Sequence, residues 1–243
     1  MKSLLATLGQ LLFTFALYLL GVVAIGLSVF PAVVLCYSTW TGMAGGPVSV
    51  RLLGFSFAAA VGYFLYGFCL ILVVATLRLL LGLRLREGEY PMFSWGSIRW
   101  ACANALQLVV TITFMDFVLL TPFASFFFRL MGAKVGRHVQ INSKYCADLA
   151  LLEIGDGAVI GGHATVIGHS FERGKLILKK VKIGRKAVIG LNSVVLPGAE
   201  IGEGATVAAG AVVPKNTRVT ANSVHYGSSA GGAHILQCGE KDT

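Results

Sequence analysis

The sequence predicts two fold classes in one chain: an α-helical membrane domain over residues 1–130 and an all-β parallel β-helix over residues 131–222, followed by a flexible tail over 223–243. Three observations carry this. Hydrophobic residues make up 56% of the 243 residues and charged ones only 13%, with a mean hydropathy of +0.76, whereas a soluble domain carries about a quarter charged residues. The charge is unevenly placed: residues 1–128 hold six Lys/Arg against three Asp/Glu, and residues 129–243 hold fourteen against eight, so the net +9 divides into +3 and +6. Finally, the second half repeats with a period of six.

Three apolar stretches build the first half. Residues 3–50 and 52–77 carry no charge, and residues 100–128 carry only Asp116. Each exceeds the roughly 20 residues a membrane-spanning helix needs, and the first is far longer than the apolar core of a cleaved signal peptide. Arg78, Arg84, Arg86 and Arg99 lie between the second and third stretches, while only Arg51 ends the Gly42–Pro47 connection between the first two. Positive flanks face the cytoplasm, which places the N-terminus and residues 78–99 there. Arg129, Lys134, Arg137 and the basic second half follow the third stretch, so both its ends read as cytoplasmic. Residues 100–128 are therefore expected to form a re-entrant or interfacial helical pair turning near Asp116 and Pro122. Asp116 is either a functional intramembrane carboxyl or one satisfied within a bundle. The expected location is the bacterial cytoplasmic membrane, with the β-helix on its cytoplasmic side.

The basic surplus does not point to nucleic acid, because no helix-turn-helix, zinc-finger or aromatic RNA-binding signature accompanies it. The cysteines (Cys36, Cys69, Cys102, Cys146 and Cys238) are odd in number and form no C-x-x-C, which predicts free thiols and no zinc site.

In the second half, Ile177, Ile183, Ile189, Val195, Ile201, Val207, Val213 and Val219 recur every six residues. Small residues follow four places on at Ala187, Ser193, Ala199, Ala205, Ala211 and Thr217, and Ile154, Ile160 and Val166 carry the same pattern upstream with Ala158, Ala164 and Ser170. Six matches neither the helical 3.6 nor the strand period of 2. It is the hexad of a parallel β-helix, three hexads to a triangular coil, with aliphatic residues filling the prism and small residues where the wall bends. The ladder slips once, between Val166 and Ile177, at His169-Ser-Phe-Glu-Arg-Gly-Lys175, and inserts in solenoids collect chemistry on one face.

That loop supplies the candidate catalytic residues. His169 is expected to act as general base, since imidazole titrates near working pH and an attacking amine or hydroxyl must shed a proton. Glu172 or Asp148 could orient the imidazole through its second nitrogen. His163, one hexad earlier, reads as structural, and His138 is out of phase as a third ligand, so no metal is expected. Lys175, Lys179, Lys180, Lys182, Arg185 and Lys186 form a basic run that either binds phosphate or is a solvated cationic face. Asn192 is a further candidate for the donor groove.

The hexads, the loop opening with His169, and the run Ile183-Gly184, Ile189-Gly190, Val195-Leu-Pro-Gly198, Ile201-Gly202 and Gly210–Lys215 resemble the left-handed β-helix acyltransferases, especially the maltose and galactoside O-acetyltransferases. Ile141–Leu176, together with Gly88–Pro91, Arg99-Trp100 and Leu130–Gly136, also resembles the membrane-bound β-helix modules of poly-lysine-type nonribosomal peptide synthetases, where an Asp stands at the position of Asp148. The resemblance spans about residues 86–219. It implies a left-handed coil, a homotrimer with sites between β-helices, and acyl transfer from acetyl-CoA or another thioester. It also implies that Lys215 contacts the nucleotide end of the donor; Lys179 and Lys180 of the basic run, and Asn192, are the further candidate donor contacts read from the residues themselves. The expected function is transfer of an acyl group to an amine or hydroxyl of a membrane-associated, lipid-linked or small-molecule acceptor. The alternatives are peptide-bond formation from an aminoacyl thioester on a carrier protein or peptide synthetase, and a non-catalytic trimeric scaffold of a biosynthetic complex.

Overall fold

A computed structural model describes residues 2–227 and 234–237, with side chains over 7–227. Cys238 and the Ser228–Gly232 segment of the tail lie outside the described residues. The chain forms two compact units, one of Met1–Gly82 with Ala105–Phe114 and one of Leu83–Asn104 with Met115–Thr243.

The first unit is built on α1 (Lys2–Gly42) and α2 (Val48–Leu80). Both contain runs long and apolar enough to cross a membrane, Thr7–Gly42 and Val48–Leu80. At 1.5 Å per residue even the shorter reaches about 50 Å, beyond the roughly 30 Å of a hydrocarbon core. The helices meet through small residues: a Cβ on Gly62 would stand 3.2 Å from that of Ala32, the close approach typical of helix pairs in lipid. Phe114 packs edge-on against Tyr63, Phe64 and Phe68 and fills the space a side chain at Gly67 would need. Leu12, Phe15, Leu19 and Val22 remain about two-thirds exposed, an apolar surface that suits lipid rather than water.

The third apolar stretch is broken. It comprises α3 (Trp95–Thr113), a short α4 (Met115–Val118) and α5 (Pro122–Leu130). Thr121 caps α5 by accepting from the Phe123 amide at 3.2 Å, with Pro122 in the first turn, where its missing N–H costs nothing. Asp116 is not a carboxyl inside a helical bundle: it pairs with Lys144 at 2.6 Å and is 60% exposed. The sequence could not show this partner, because Lys144 arrives from the β-helix.

The second unit stacks short parallel strands into three faces. One face carries Lys134–Val135, Leu152–Ile154, Val181–Ile183, Glu200–Ile201 and Arg218–Val219. Another carries Gln140–Ile141, Val159–Ile160, Val188–Ile189, Thr206–Val207 and Ser223–Tyr226. The third carries Thr165–Val166, Val194–Val195 and Val212–Val213. Ile160, Val166, Ile189, Val195, Val207, Val213 and Val219 are fully buried, as are Ala158, Ala164, Ala187, Ala199 and Ala205. Glycine is required where coils touch: a Cβ on Gly190 would come within 2.6 Å of the Ala209 amide of the next coil. His138, His163, Lys186, Asn192, Asn216 and Asn222 occupy corners at φ of +53° to +57°, and Asn tolerates that left-handed region best.

Three expectations change. The interruption is a β-hairpin, His169–Glu172 against Lys175–Leu178, and Gly88–Pro91 joins it as a third, antiparallel strand. Ile177 therefore does not start the ladder: it pairs with Ser170 across the hairpin while Leu176 and Leu178 are buried. Ser170, for the same reason, is not a wall-bend residue. The hexads resume at Val181–Ile183. Stacking also continues past residue 222, since Ser223–Tyr226 lies on Thr206–Val207 and pairs with His234–Gln237.

Gly88–Pro91 precedes the third apolar stretch and Lys175–Leu178 follows it, yet both lie in one sheet.

Candidate active site

The site grows from the corner before the interruption. Asp148 takes the corner conformation, φ +55° and ψ +45°, ahead of a 3-10 turn over Leu149–Leu151. Its neighbours Leu149, Leu151 and Leu152 are buried, and its own side chain is 0% exposed. A buried carboxyl must be matched by donors, and four are present. Oδ1 accepts from the Trp100 indole Nε1 at 2.6 Å and from Asn104 Nδ2 at 3.1 Å. Oδ2 accepts from the Gly168 amide at 3.0 Å and lies 2.5 Å from His169 Nδ1.

Three of those groups can only donate. A hydrogen bond from Nδ1 to an oxygen that accepts from the others requires the proton on Nδ1, the arrangement that directs Nε2 away from the carboxyl. The His169 side chain is 23% exposed. Trp100 stands edge-on 4.9 Å from the imidazole and 5.4 Å from Phe171. Trp100 and Asn104 sit four residues apart on one face of α3, and Leu85, Tyr90 and Trp100 pack on the buried cluster Leu151, Leu176 and Leu178.

Of the two carboxylates expected to be able to orient the imidazole, Asp148 lies on it and Glu172 does not. Glu172 accepts from Ser170 Oγ at 2.9 Å and Lys215 Nζ at 2.5 Å, and Lys215 first, then Ser170, holds its carboxyl below the usual carboxylate range. Cys146 is no rival nucleophile, since burial pushes its thiol up to about 12 and the thiolate is the reactive form. Among the described residues no hydroxyl or thiol is bonded to His169.

The expected donor contacts scatter. Lys179 donates to Asn216 Oδ1 at 2.7 Å and Lys215 is paired with Glu172, so both lie by the hairpin. Lys180 sits between Glu87 at 3.7 Å and Glu153 at 3.3 Å. Asn192 occupies a different corner, its backbone amide donating to the Gly162 carbonyl at 3.0 Å. His163 is likewise a corner residue, its ring 5.7 Å from Tyr145. Trp100 and Asn104 went unassigned in the sequence. The only signal was Arg99-Trp100 as a shared dipeptide, and nothing local tells that an indole on a helix will meet a carboxyl on a coil corner.

Residues 180–215 match the family described as bacterial transferase hexapeptide (six repeats). No curated protein matches the chain. Among solved structures, a maltose O-acetyltransferase from Clostridium difficile is 20% identical, with 65% of this chain and 96% of that one covered and a TM-score of 0.47. A hexapeptide-repeat acetyltransferase from Vibrio cholerae, solved with acetyl coenzyme A, is 19% identical over 66% and 98% at a TM-score of 0.47. A galactoside acetyltransferase solved with coenzyme A is 17% identical over 67% and 90%, again at 0.47.

Proposed function

We propose that the protein is a membrane-bound acyltransferase that moves an acyl group, acetyl from acetyl-CoA, onto an amine or hydroxyl of a membrane-associated acceptor. The observation that carries this reading is the Asp148–His169 pair, a buried, fully bonded carboxylate that leaves imidazole Nε2 as the free acceptor. The matched transferase repeats agree with it. His169 is the general base and Asp148 orients it. As the acceptor attacks the thioester carbonyl, its N–H or O–H proton passes to Nε2, the carbon–sulfur bond breaks, and the imidazolium returns the proton to the departing thiolate. The absence of a bonded hydroxyl or thiol at His169, among the described residues, favours direct transfer without an acyl-enzyme.

The donor would bring the activated acyl group. Lys179 and Lys215, beside the hairpin, suit its phosphates only if they exchange their present partners, Asn216 and Glu172. The chain is a homotrimer in this reading, with a neighbouring β-helix completing the thioester groove, and α1 and α2 hold it in the membrane with the coils on the cytoplasmic side.

The test uses the detergent-solubilised full chain, radiolabelled acetyl-CoA and a bacterial membrane lipid extract as the acceptor pool. Label is expected in the lipid phase, and His169→Ala is expected to lower the rate by about 10²- to 10⁴-fold with the melting temperature and coenzyme A binding kept. Transfer at the wild-type rate by His169→Ala would end this reading.

A further inference from the structure

Several lysines of the second unit are matched by carboxylates. Lys175 pairs with Glu89 at 3.0 Å, Lys180 with Glu87 and Glu153, Lys182 with Glu200 at 2.7 Å and Lys215 with Glu172. Arg84, Arg86 and Arg99 are different. They line one cleft of about 40 Å³ together with Tyr90, Gly96 and Leu178, and among the described residues none has a carboxylate within ion-pair distance. The two acids of their own segment, Glu87 and Glu89, are taken by lysines instead. Three arginines thus border one small cleft without a carboxylate partner. Arg99 is steadied 5.5 Å from the Trp95 ring, and Gly96 brings the first turn of α3 to the cleft, an end that also favours negative charge.

The cleft stands in register with the imidazole. Gly88 pairs with Leu178, and Leu178 pairs with His169, so the edge strand lies two strand spacings, about 10 Å, from the catalytic one. Tyr90, Leu176 and Phe171 form the row two residues along. The turn leading from that edge strand into α3 is apolar and turned outward: Phe93 is 67% exposed at φ +65° and Trp95 is 65% exposed. A bulky residue at positive φ is a strained choice.

We infer that Arg84, Arg86 and Arg99 bind a phosphate group of the acceptor, which is therefore a phosphate-bearing amphiphile whose amine or hydroxyl reaches His169. Planar guanidiniums match phosphate oxygens in bidentate fashion, and Phe93 and Trp95 supply the apolar and amphipathic contacts that its hydrocarbon part needs. The phosphate site stands on its own geometry; the role of the bound molecule as acceptor rests on the acyl-transfer reading above.

The experiment measures binding of short-chain phosphatidic acid, inorganic phosphate and coenzyme A, each separately, to the full chain in a phosphate-free detergent. Wild-type protein is compared with Arg84→Gln/Arg86→Gln/Arg99→Gln and with His169→Ala, each checked by its melting temperature. The triple variant is expected to bind phosphatidic acid about tenfold or more weakly, given charge-assisted bonds of this kind, with inorganic phosphate competing for the wild-type site and His169→Ala binding normally. Unchanged phosphatidic acid binding by the triple variant overturns the site. Loss of coenzyme A binding alone assigns the phosphate to the donor and overturns the acceptor role. Binding of inorganic phosphate without phosphatidic acid overturns the amphiphile in favour of a soluble phosphate ester. Because His169→Ala is read by binding, failure of the acyl-transfer reading leaves this result intact.

Discussion

The regular coils and the hairpin that interrupts them use the same residue types to opposite ends. In the coils every sixth residue is an aliphatic side chain facing the prism, and corner residues such as His163 and Asn192 serve backbone geometry. At the interruption the inward direction is reset by antiparallel pairing, Ile177 turns outward, and the corner residue Asp148 turns its side chain into the protein to meet His169, Trp100 and Asn104. Repetition makes the coils tolerant of any one residue's chemistry and intolerant of its volume. The interruption has the reverse sensitivity.

The sharpest way to break that contrast is Asp148→Asn. The substitution keeps volume but puts an amide N–H2, itself a donor, where the bonded partners Trp100, Asn104 and the Gly168 amide are donors, so it favours the other imidazole tautomer. Activity should fall by about 10²- to 10⁴-fold, read as kcat, while Trp100→Phe, which removes one donor and keeps the ring, should reduce it far less. Nitrogen-15 spectra of histidine-labelled protein should show the Nδ1–H tautomer at His169 weakened in both; an unaltered tautomer in Asp148→Asn would refute the orienting role.

A volume change in the coils comes next. Ile189 is fully buried and Leu191, two residues on, is 52% exposed. Ile189→Ala is expected to cost about 2–5 kcal/mol and Leu191→Ala under about 0.5 kcal/mol, measured by denaturant unfolding. Equal effects would mean that the prism is not packed as a core.

The smallest effect is electrostatic. Glu200 is held below the usual carboxylate range first by Lys182 and then by Arg218, and Lys182 is raised by Glu200. A lowered carboxyl stabilises the fold above its unfolded value, near 4.3, and loses that contribution as pH falls through the folded value. A raised lysine contributes below about 10.4 and loses it as pH rises through the folded value. Glu200→Gln should therefore melt slightly below wild type at pH 7 and together with it at pH 3, with high salt narrowing the pH 7 gap.

Much of the architecture is readable along the chain because its cause is local. A hexad places its aliphatic residue inward whatever lies elsewhere, so Ile183 to Val219 announce the coil, and two long uncharged runs announce α1 and α2. His169 could be picked out because it opens the one break in that rhythm. Its partner could not be chosen: Glu172 is three residues away and Asp148 twenty-one, and proximity in sequence favours the wrong one.

By itself, then, the amino-acid order determined the elements whose period is set by backbone geometry, namely apolar helices, stacked hexads and the position of their interruption. Only the tertiary structure decided that Gly88–Pro91 adds a strand to the hairpin, that α3 brings Trp100 and Asn104 onto Asp148, and that Arg84, Arg86 and Arg99 line one cleft while Glu87 and Glu89 pair with lysines. The reason is physical: hydrogen bonds and ion pairs between distant segments depend on which surfaces the packing of buried Leu151, Leu176 and Leu178 presses together, and no local pattern encodes that choice.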